Sequence, residues 1–247
     1  MSRVGLEICV DTVAGAIAAI DGGCDRIELC AALGLGGLTP SAGLVAAVLD
    51  VAGPAGVPVH AMVRPRPGGF DYDAGELRLA RREAEALVAA GVQGLVFGAT
   101  ARGRLDEAAL SAWVANMRGS SLTLHRAVDV LADPVAAVEV AVALGFDRIL
   151  TSGGAPSAPA GAATIAAMVD RAAGRCGIIA GAGVSAGNAA ALIATTGVGE
   201  VHASASVAVE GAAEDRFGFG PMPRKTSPER VAALRQAIDD KSNLGQL

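Results

Sequence analysis

The chain has 247 residues, 52 % hydrophobic and 18 % charged, with a formal net charge of −5. That apolar fraction excludes a disordered chain. The acidic balance, with lysines and arginines scattered rather than gathered into a stripe, excludes a nucleic-acid-binding face. No apolar run reaches the ~18 residues of a membrane span, and Met1-Ser2-Arg3 runs straight into a strand pattern, so neither a membrane segment nor a leader is expected. Four cysteines are too few for a disulfide scaffold. The expected setting is the reducing cytoplasm, with the cysteines as thiols.

In chain order, short apolar runs alternate with alanine-rich helical stretches. Residues 6–10 read as a strand, 12–21 as a helix, and 26–30 as the next strand. A helix over 40–51 follows, with Thr39 as its cap and Pro40 in its first position. Residues 57–64 read as a strand and 74–90 as a helix. Strands at 95–98, 122–125, 148–152, 177–181 and 200–204 then alternate with helices at 106–116, 134–144, 164–173 and 188–196. A last helix over 228–239 follows a Gly/Pro-rich stretch. Such alternation implies a parallel sheet. Eight units in this length imply a single-domain α/β chain of the TIM-type (β/α)8 barrel, with the barrel over about 5–206 and a C-terminal extension over about 207–247. An open doubly wound sheet is the alternative.

A barrel strand is buried on both faces and should read as a continuous apolar run. These strands do not. Leu6, Ile8 and Val10 alternate with Glu7 and Cys9, and Ile27 and Leu29 alternate with Arg26, Glu28 and Cys30. Val59, Ala61 and Val63 alternate with His60, Met62 and Arg64; Leu122 and Leu124 with Thr123 and His125; Val201 and Ala203 with Glu200, His202 and Ser204. The apolar set must face the helices, so the polar set faces inward. That places Glu7, Glu28, Glu200, Arg26, Arg64 and all three histidines inside the barrel. A structural ion-pair plug explains this, because buried charge must be paired. So does a site at the C-terminal strand ends, where barrel enzymes keep their chemistry. If the first two strands are in register, the Glu7 and Glu28 carboxylates are neighbours, an arrangement suited to acid/base chemistry or to a cation. Cys9 and Cys30 share the inward parity and could converge on a soft ion such as Cu(I), or serve as inert packing thiols. Cys24 and Cys176 read as packing residues.

Arg64 and Arg66 flank a Pro/Gly-rich turn after the third strand, a setting for a carboxylate or phosphate or for a clamp on the barrel rim. Ser152 and Gly153 follow the sixth strand, and Gly181 and Gly183 the seventh, where many barrels hold phosphate. His125, Arg126 and Asp129 form either a base with its orienting carboxylate or a salt bridge securing a loop.

These residues resemble the CutC family. The resemblance lies in Leu6-Glu7-Ile8-Cys9-Val10-Asp11, Asp25-Arg26-Ile27-Glu28-Leu29-Cys30, Gly36-Gly37-Leu38-Thr39-Pro40-Ser41-Ala42-Gly43, Met62-Val63-Arg64-Pro65-Arg66, His125-Arg126-Ala127-Val128-Asp129, Leu150-Thr151-Ser152-Gly153, Gly181-Ala182-Gly183-Val184 and Glu200-Val201-His202. It implies a TIM-type barrel, a cytoplasmic location, a homo-oligomer (dimer or tetramer), and a copper-homeostasis role in which Cu(I) is held by two cysteines matching Cys9 and Cys30. Family members carry Gly-Gly-Asp-Phe after the Arg-Pro-Arg; here Pro67-Gly68-Gly69-Phe70 stands instead, with Asp71 and Asp73 nearby.

Two expectations about function follow. In one, the protein handles copper through Cys9 and Cys30. In the other, it is an isomerase, lyase or hydrolase acting on a small anionic or phosphorylated metabolite. Arg64, Arg66, Arg126, Ser152, Gly153, Gly181 and Gly183 would then hold the anion, and Glu7, Glu28, His60, His125, Asp129 and His202 would supply acid/base groups. No organic cofactor is expected in either case.

Overall fold

The computed structural model describes residues 3–117, 119–209 and 224–244. Its strands are β1 (Gly5–Val10), β2 (Arg26–Leu29), β3 (Val59–Met62), β4 (Gly94–Phe97), β5 (Thr100–Ala101), β6 (Arg104–Leu105), β7 (Ser121–Leu124), β8 (Arg148–Thr151), β9 (Gly177–Ala180), β10 (Glu200–Ala203), β11 (Ser206–Ala208) and β12 (Arg224–Thr226). Eight of them close a parallel barrel in the order β1-β10-β9-β8-β7-β4-β3-β2. The expected TIM-type barrel is therefore the fold, and the open sheet is excluded.

Helices α1 (Val13–Asp21), α2 (Ala42–Ala55), α3 (Ala74–Ala90), α4 (Glu107–Asn116), α5 (Ala137–Leu144), α6 (Ala162–Ala172), α7 (Ala189–Thr196) and α8 (Pro228–Leu244) accompany the strands. Their starts follow from local chemistry. Thr12 caps α1 by accepting from Gly15 N–H at 3.0 Å. At α3, Asp73 and Glu76 form a reciprocal capping box. Helix α2 begins two residues later than expected, because Ser41 rather than Thr39 caps it. The Thr39 hydroxyl is engaged elsewhere, accepting from Arg64 N–H and donating to Glu83. The expected final helix is α8, which Arg235 ties to Val4 O and Asp25 at the foot of the barrel. The Gly/Pro-rich stretch before it falls largely outside the described residues. No described helix is long and apolar enough to cross a membrane.

The outward strand residues Leu6, Ile8, Ile27, Leu29, Leu95, Phe97, Leu124 and Ile149 are fully buried against the helices. They belong to one apolar cluster that also holds Cys24 and Cys176. Burial raises the pKa of these two thiols to about 12 and about 11. They are packing residues.

Strand register departs from the simplest expectation. Glu7 lies opposite Arg26 and His202, while Glu28 lies opposite Cys9 and His60. The first two strands are thus offset by two residues. Glu7 and Glu28 do not form the side-by-side pair that an unshifted register would give, and Cys9 and Cys30 are not cross-strand partners.

Candidate active site at the barrel mouth

The polar inner wall divides into two layers. The lower one is built from the first residues of strands, at the N-terminal end of the barrel. Arg26 bridges Glu7, at 2.5 Å, and Glu200. Arg148 meets Glu200 at 3.0 Å and donates to Ser121 Oγ at 2.5 Å. Each charge here has an opposite partner, as buried ions require. This layer is the ion-pair plug. His60 sits above it, and Gly94 on β4 makes its room: a Cβ there would lie 2.5 Å from the His60 ring. Burial depresses the His60 pKa to about 4, with Arg26 and Arg148 adding to the effect, so the ring is neutral. His60 does not line the cavity described next.

The upper layer opens at the C-terminal ends of the strands. A cavity of about 300 Å³ is lined by Cys9, Glu28, Arg64, His125, Arg126 and His202, with Phe70 and the 182–184 loop among its other walls. That volume suits a small metabolite.

Three cavity-lining side chains carry a buried polar atom with no partner among the described residues: Glu28 Oε1, Arg64 Nε and His125 Nε2. Each has its remaining atoms fixed. Arg64 donates to Leu35 O, Gly37 O and Gly68 O at 2.9, 3.1 and 2.7 Å. Its guanidinium lies over Phe70, 5.3 Å from the ring centre. Its short hydrogen bonds go to neutral carbonyls and the Tyr72 hydroxyl also interacts with it, so among the described residues this buried cation has no carboxylate counter-ion.

His125 accepts from Ala127 N–H at Nδ1 (3.2 Å), which places its own proton on Nε2. Burial drives its pKa down to about 3, and nearby Arg64 contributes. The ring is a neutral donor into the cavity. Gly98 makes space for it, since a Cβ there would lie 2.5 Å from His125 Nδ1.

Glu28 Oε2 lies 3.5 Å from the Cys30 thiol and 3.8 Å from His202 Nε2. Burial raises the Glu28 pKa, and Glu7 adds to it against the opposing pull of His202. Such a carboxyl is poised to exchange a proton. His202 Nδ1 meets Glu7 Oε1 at 2.8 Å. Burial disfavours the imidazolium, but Cys9, Glu28 and Glu7 outweigh it and raise the His202 pKa well above the usual range. Burial likewise opposes charge on Glu7, yet His202 and Arg26 hold its pKa low. Glu7 therefore acts on the cavity through His202 and does not line it.

The other candidates are placed differently. Asp129 does not orient His125. Its carboxylate accepts from Thr151 Oγ1 (2.5 Å), from the backbone of Ser152 and Gly154, and from Arg126 (2.8 Å), stapling the loop after β7 to the end of β8. Of the two sequence readings, the loop-securing salt bridge is the one formed. Ser152 and Gly153 belong to that staple and lie off the cavity wall, as does Gly181, which packs under His202 and Leu150. Gly183 does line the cavity. Arg66 clamps its own loop through Glu76, Gly69 O and Asp71 O. Sequence reasoning missed Ala182 and Val184. Ala182 and Gly183 take left-handed φ values of 74° and 73°. Among the described residues, the N–H groups of 182–184 donate to no protein acceptor. Amides without protein acceptors at a cavity wall are open to an anion or to water. Phe70 was also missed: it closes the cavity with its ring 4.8 Å from that of His125.

Cys9 Sγ, a Glu28 oxygen and a His202 nitrogen lie within 4.8 Å of one another, a set able to hold a metal ion. Cys30 stands outside this set. It is fully buried with Met62, Val96 and Leu33, under the backbone of Gly37.

Fold and cavity together define a TIM-type barrel with a charged pocket at the carboxyl ends of its strands. The CutC family model matches residues 4–207, and the chain belongs to the CutC family. A CutC family protein of Sinorhizobium medicae is 45 % identical over 244 residues, covering 97 % of this chain and 98 % of the relative. One from Rhizobium meliloti is 50 % identical over 186 residues, 75 % of this chain and 74 % of its own length. The solved CutC structure from Streptococcus agalactiae, described as a candidate copper homeostasis protein, superposes with a TM-score of 0.78 at 30 % identity, over 81 % of this chain and 98 % of that one. A thiamine phosphate pyrophosphorylase from Pyrococcus furiosus, 11 % identical with a TM-score of 0.64 over 96 % of each chain, shares the barrel.

Proposed function

We propose that the mouth cavity binds a small anionic metabolite and moves a proton on it. The observation that carries this reading is that three side chains lining one cavity of about 300 Å³, Arg64, His125 and Glu28, each keep a buried polar atom with no hydrogen-bond partner among the described residues. A buried polar group without a partner costs about 1–3 kcal/mol. Three around one space are best explained by a ligand that supplies the partners. Arg64 and the 182–184 amides hold the anionic group. The neutral His125 donates Nε2–H to an oxygen on which charge develops. Glu28, with its raised pKa, gives or takes the proton. The chemistry is proton transfer next to a carbonyl, as in an isomerase or lyase. Arg126, at the rim, guides the ligand in. The test incubates the protein with small 2-oxo acids and phosphorylated hydroxy-carbonyl compounds in D2O and follows deuterium incorporation by NMR. Incorporation that Glu28→Gln abolishes and Arg64→Met weakens supports the proposal. Incorporation no faster than without protein, across the panel, overturns it.

A second reading, copper as cargo, is supported by family membership and by the Cys9–Glu28–His202 cluster. A thiolate and an imidazole suit Cu(I) better than the carboxylate does. An anaerobic Cu(I) competition titration separates the cases. Tight binding lost in both Cys9→Ser and Cys30→Ser marks a two-cysteine site. Loss in Cys9→Ser alone marks the cluster. Binding indifferent to both ends the copper reading.

A further inference from the structure

We propose that a second cavity beside the mouth is a phosphate subsite, in which Arg224 and Arg230 hold the phosphate of a ligand whose other end reaches the mouth cavity. The two-ended ligand rests on the anion-site reading above; the phosphate subsite does not.

This cavity, of about 400 Å³, lies between the loops that follow β9 and β10, the seventh and eighth barrel strands, and the flank of α8. None of its lining residues is acidic, and two are the arginines Arg224 and Arg230. Arg224 donates through Nε to Ser206 Oγ and through Nη2 to Ser206 O, each at 2.7 Å. Arg230 donates through Nη1 to the same carbonyl at 2.8 Å. The two guanidiniums therefore stand side by side, their bonded nitrogens no further apart than those two bonds laid end to end. Ties to one hydroxyl and one carbonyl would suffice to hold the β11–β12 hairpin, but they do not offset two like charges. Among the described residues neither arginine has a carboxylate partner, and Arg224 Nη1 and Arg230 Nε and Nη2 have no acceptor. An oxyanion that accepts from both forks is the partner this pair lacks.

The facing loop is built to match. The Ser185 amide is taken by Asn188 Oδ1 at 2.9 Å, while the amides of Gly183, Val184, Ala186 and Gly187 donate to no acceptor among the described residues. Across the cavity, Ala205 takes a left-handed φ of 45°, and its carbonyl accepts from Ser227 N–H at 3.0 Å. Ser227 Oγ in turn accepts from Arg230 N–H at 3.3 Å, which sets the first turn of α8 against this loop. A left-handed alanine is strained, and such strain gathers at ligand sites. Loops after the last two strands are also where barrel enzymes commonly hold phosphate. Gly183, Val184 and Ser204 wall both cavities. One ligand can therefore place its phosphate on Arg224 and Arg230 and its oxo group toward Arg64 and His125. The substrate class is a small phosphorylated oxo compound whose phosphate is a handle and takes no part in the reaction.

The test modifies the folded protein with the arginine reagent phenylglyoxal, in phosphate-free buffer of low ionic strength, because both arginines are exposed and salt would screen them. Peptide mass spectrometry follows each arginine as inorganic phosphate is added. We expect phosphate to slow modification of Arg224 and Arg230 severalfold and to leave the exposed Arg82 of α3 unchanged. Protection of Arg224 should need about tenfold more phosphate in Arg230→Met, and protection in Arg64→Met should match wild type. The wild-type protection stands even if Arg230→Met weakens the hairpin. No protection, equal protection of Arg82, or protection that Arg64→Met abolishes overturns the subsite. Dihydroxyacetone phosphate is the two-ended probe. It should protect at about tenfold lower concentration than inorganic phosphate, and Arg64→Met should erase that advantage. Protection no better than that by inorganic phosphate overturns the two-ended ligand and leaves a site for free phosphate. Protection by both probes in a protein that fails the deuterium test supports the subsite and counts against the proton-transfer reading alone.

Discussion

The large inward side chains exist only because small residues face them, and Gly98→Ala tests this at the cavity wall. A Cβ at this position would lie 2.5 Å from His125 Nδ1, 2.7 Å from Cε1 and 3.0 Å from the Ala127 Cβ. Gly98 is not in the left-handed region, so alanine brings no backbone strain and the whole cost is steric. Relief to an ordinary contact near 3.5 Å requires the ring to move by about 1 Å. That movement breaks the 3.2 Å bond from Ala127 N–H. Overpacking costs about 1–3 kcal/mol, and a buried N–H without its acceptor costs a similar amount. The two share one displacement, so we expect a loss of about 2–4 kcal/mol in urea unfolding. In a His125→Ala background the ring is gone and only the Ala127 contact remains, so the same substitution should cost under about 1 kcal/mol. An equal cost in both backgrounds would refute the argument, because the strain would then not come from His125.

His125 also gives a pH dependence. Its pKa falls from 6.5 to about 3 on folding, so the unfolded chain takes up a proton that the folded one refuses. The associated stability is complete above pH 6.5 and is lost as pH falls toward 3. Between pH 7 and pH 5 the wild type should lose about 2 kcal/mol more than His125→Gln, measured by urea titration at both pH values, and equal losses would contradict it. Asp129→Ala should unfold more easily by about 2–4 kcal/mol, since it strands Thr151 Oγ1 and the Ser152 and Gly154 amides. A thermal or urea midpoint within about 0.5 kcal/mol of wild type would instead argue against the staple.

Strand parity was legible in the sequence because side chains alternate with period two, and the inward set Glu7, Cys9, Arg26, Glu28, His60, Arg64, His125 and His202 could be read directly. Register was not. A slip of two residues preserves every inside–outside assignment, so the pattern cannot distinguish Glu7 beside Glu28 from Glu7 beside Arg26. The barrel's stagger decides it. That one offset divides the charges between an ion-paired floor and a mouth in which Arg64 has no carboxylate partner, and it takes Cys30 out of cross-strand pairing with Cys9. The cap of α2 was misplaced because Thr39 and Ser41 both qualify locally, and a long-range bond to the Arg64 backbone claims Thr39. The β5–β6 hairpin went unread because its two-residue turn, Arg102-Gly103, puts an arginine at φ 52°, where Asn or Asp is the usual signal. Asp129 was left between two roles until the structure showed its acceptor sites filled by loop donors.

The central claim is that the mouth of the barrel, around Arg64, is an anion site. Isothermal titration of wild type and Arg64→Met with small 2-oxo acids and phosphate monoesters tests it most directly. The account predicts that at least one ligand binds wild type and loses about tenfold or more in affinity when the buried guanidinium is removed. Ligands that bind both proteins equally, or neither, would contradict it.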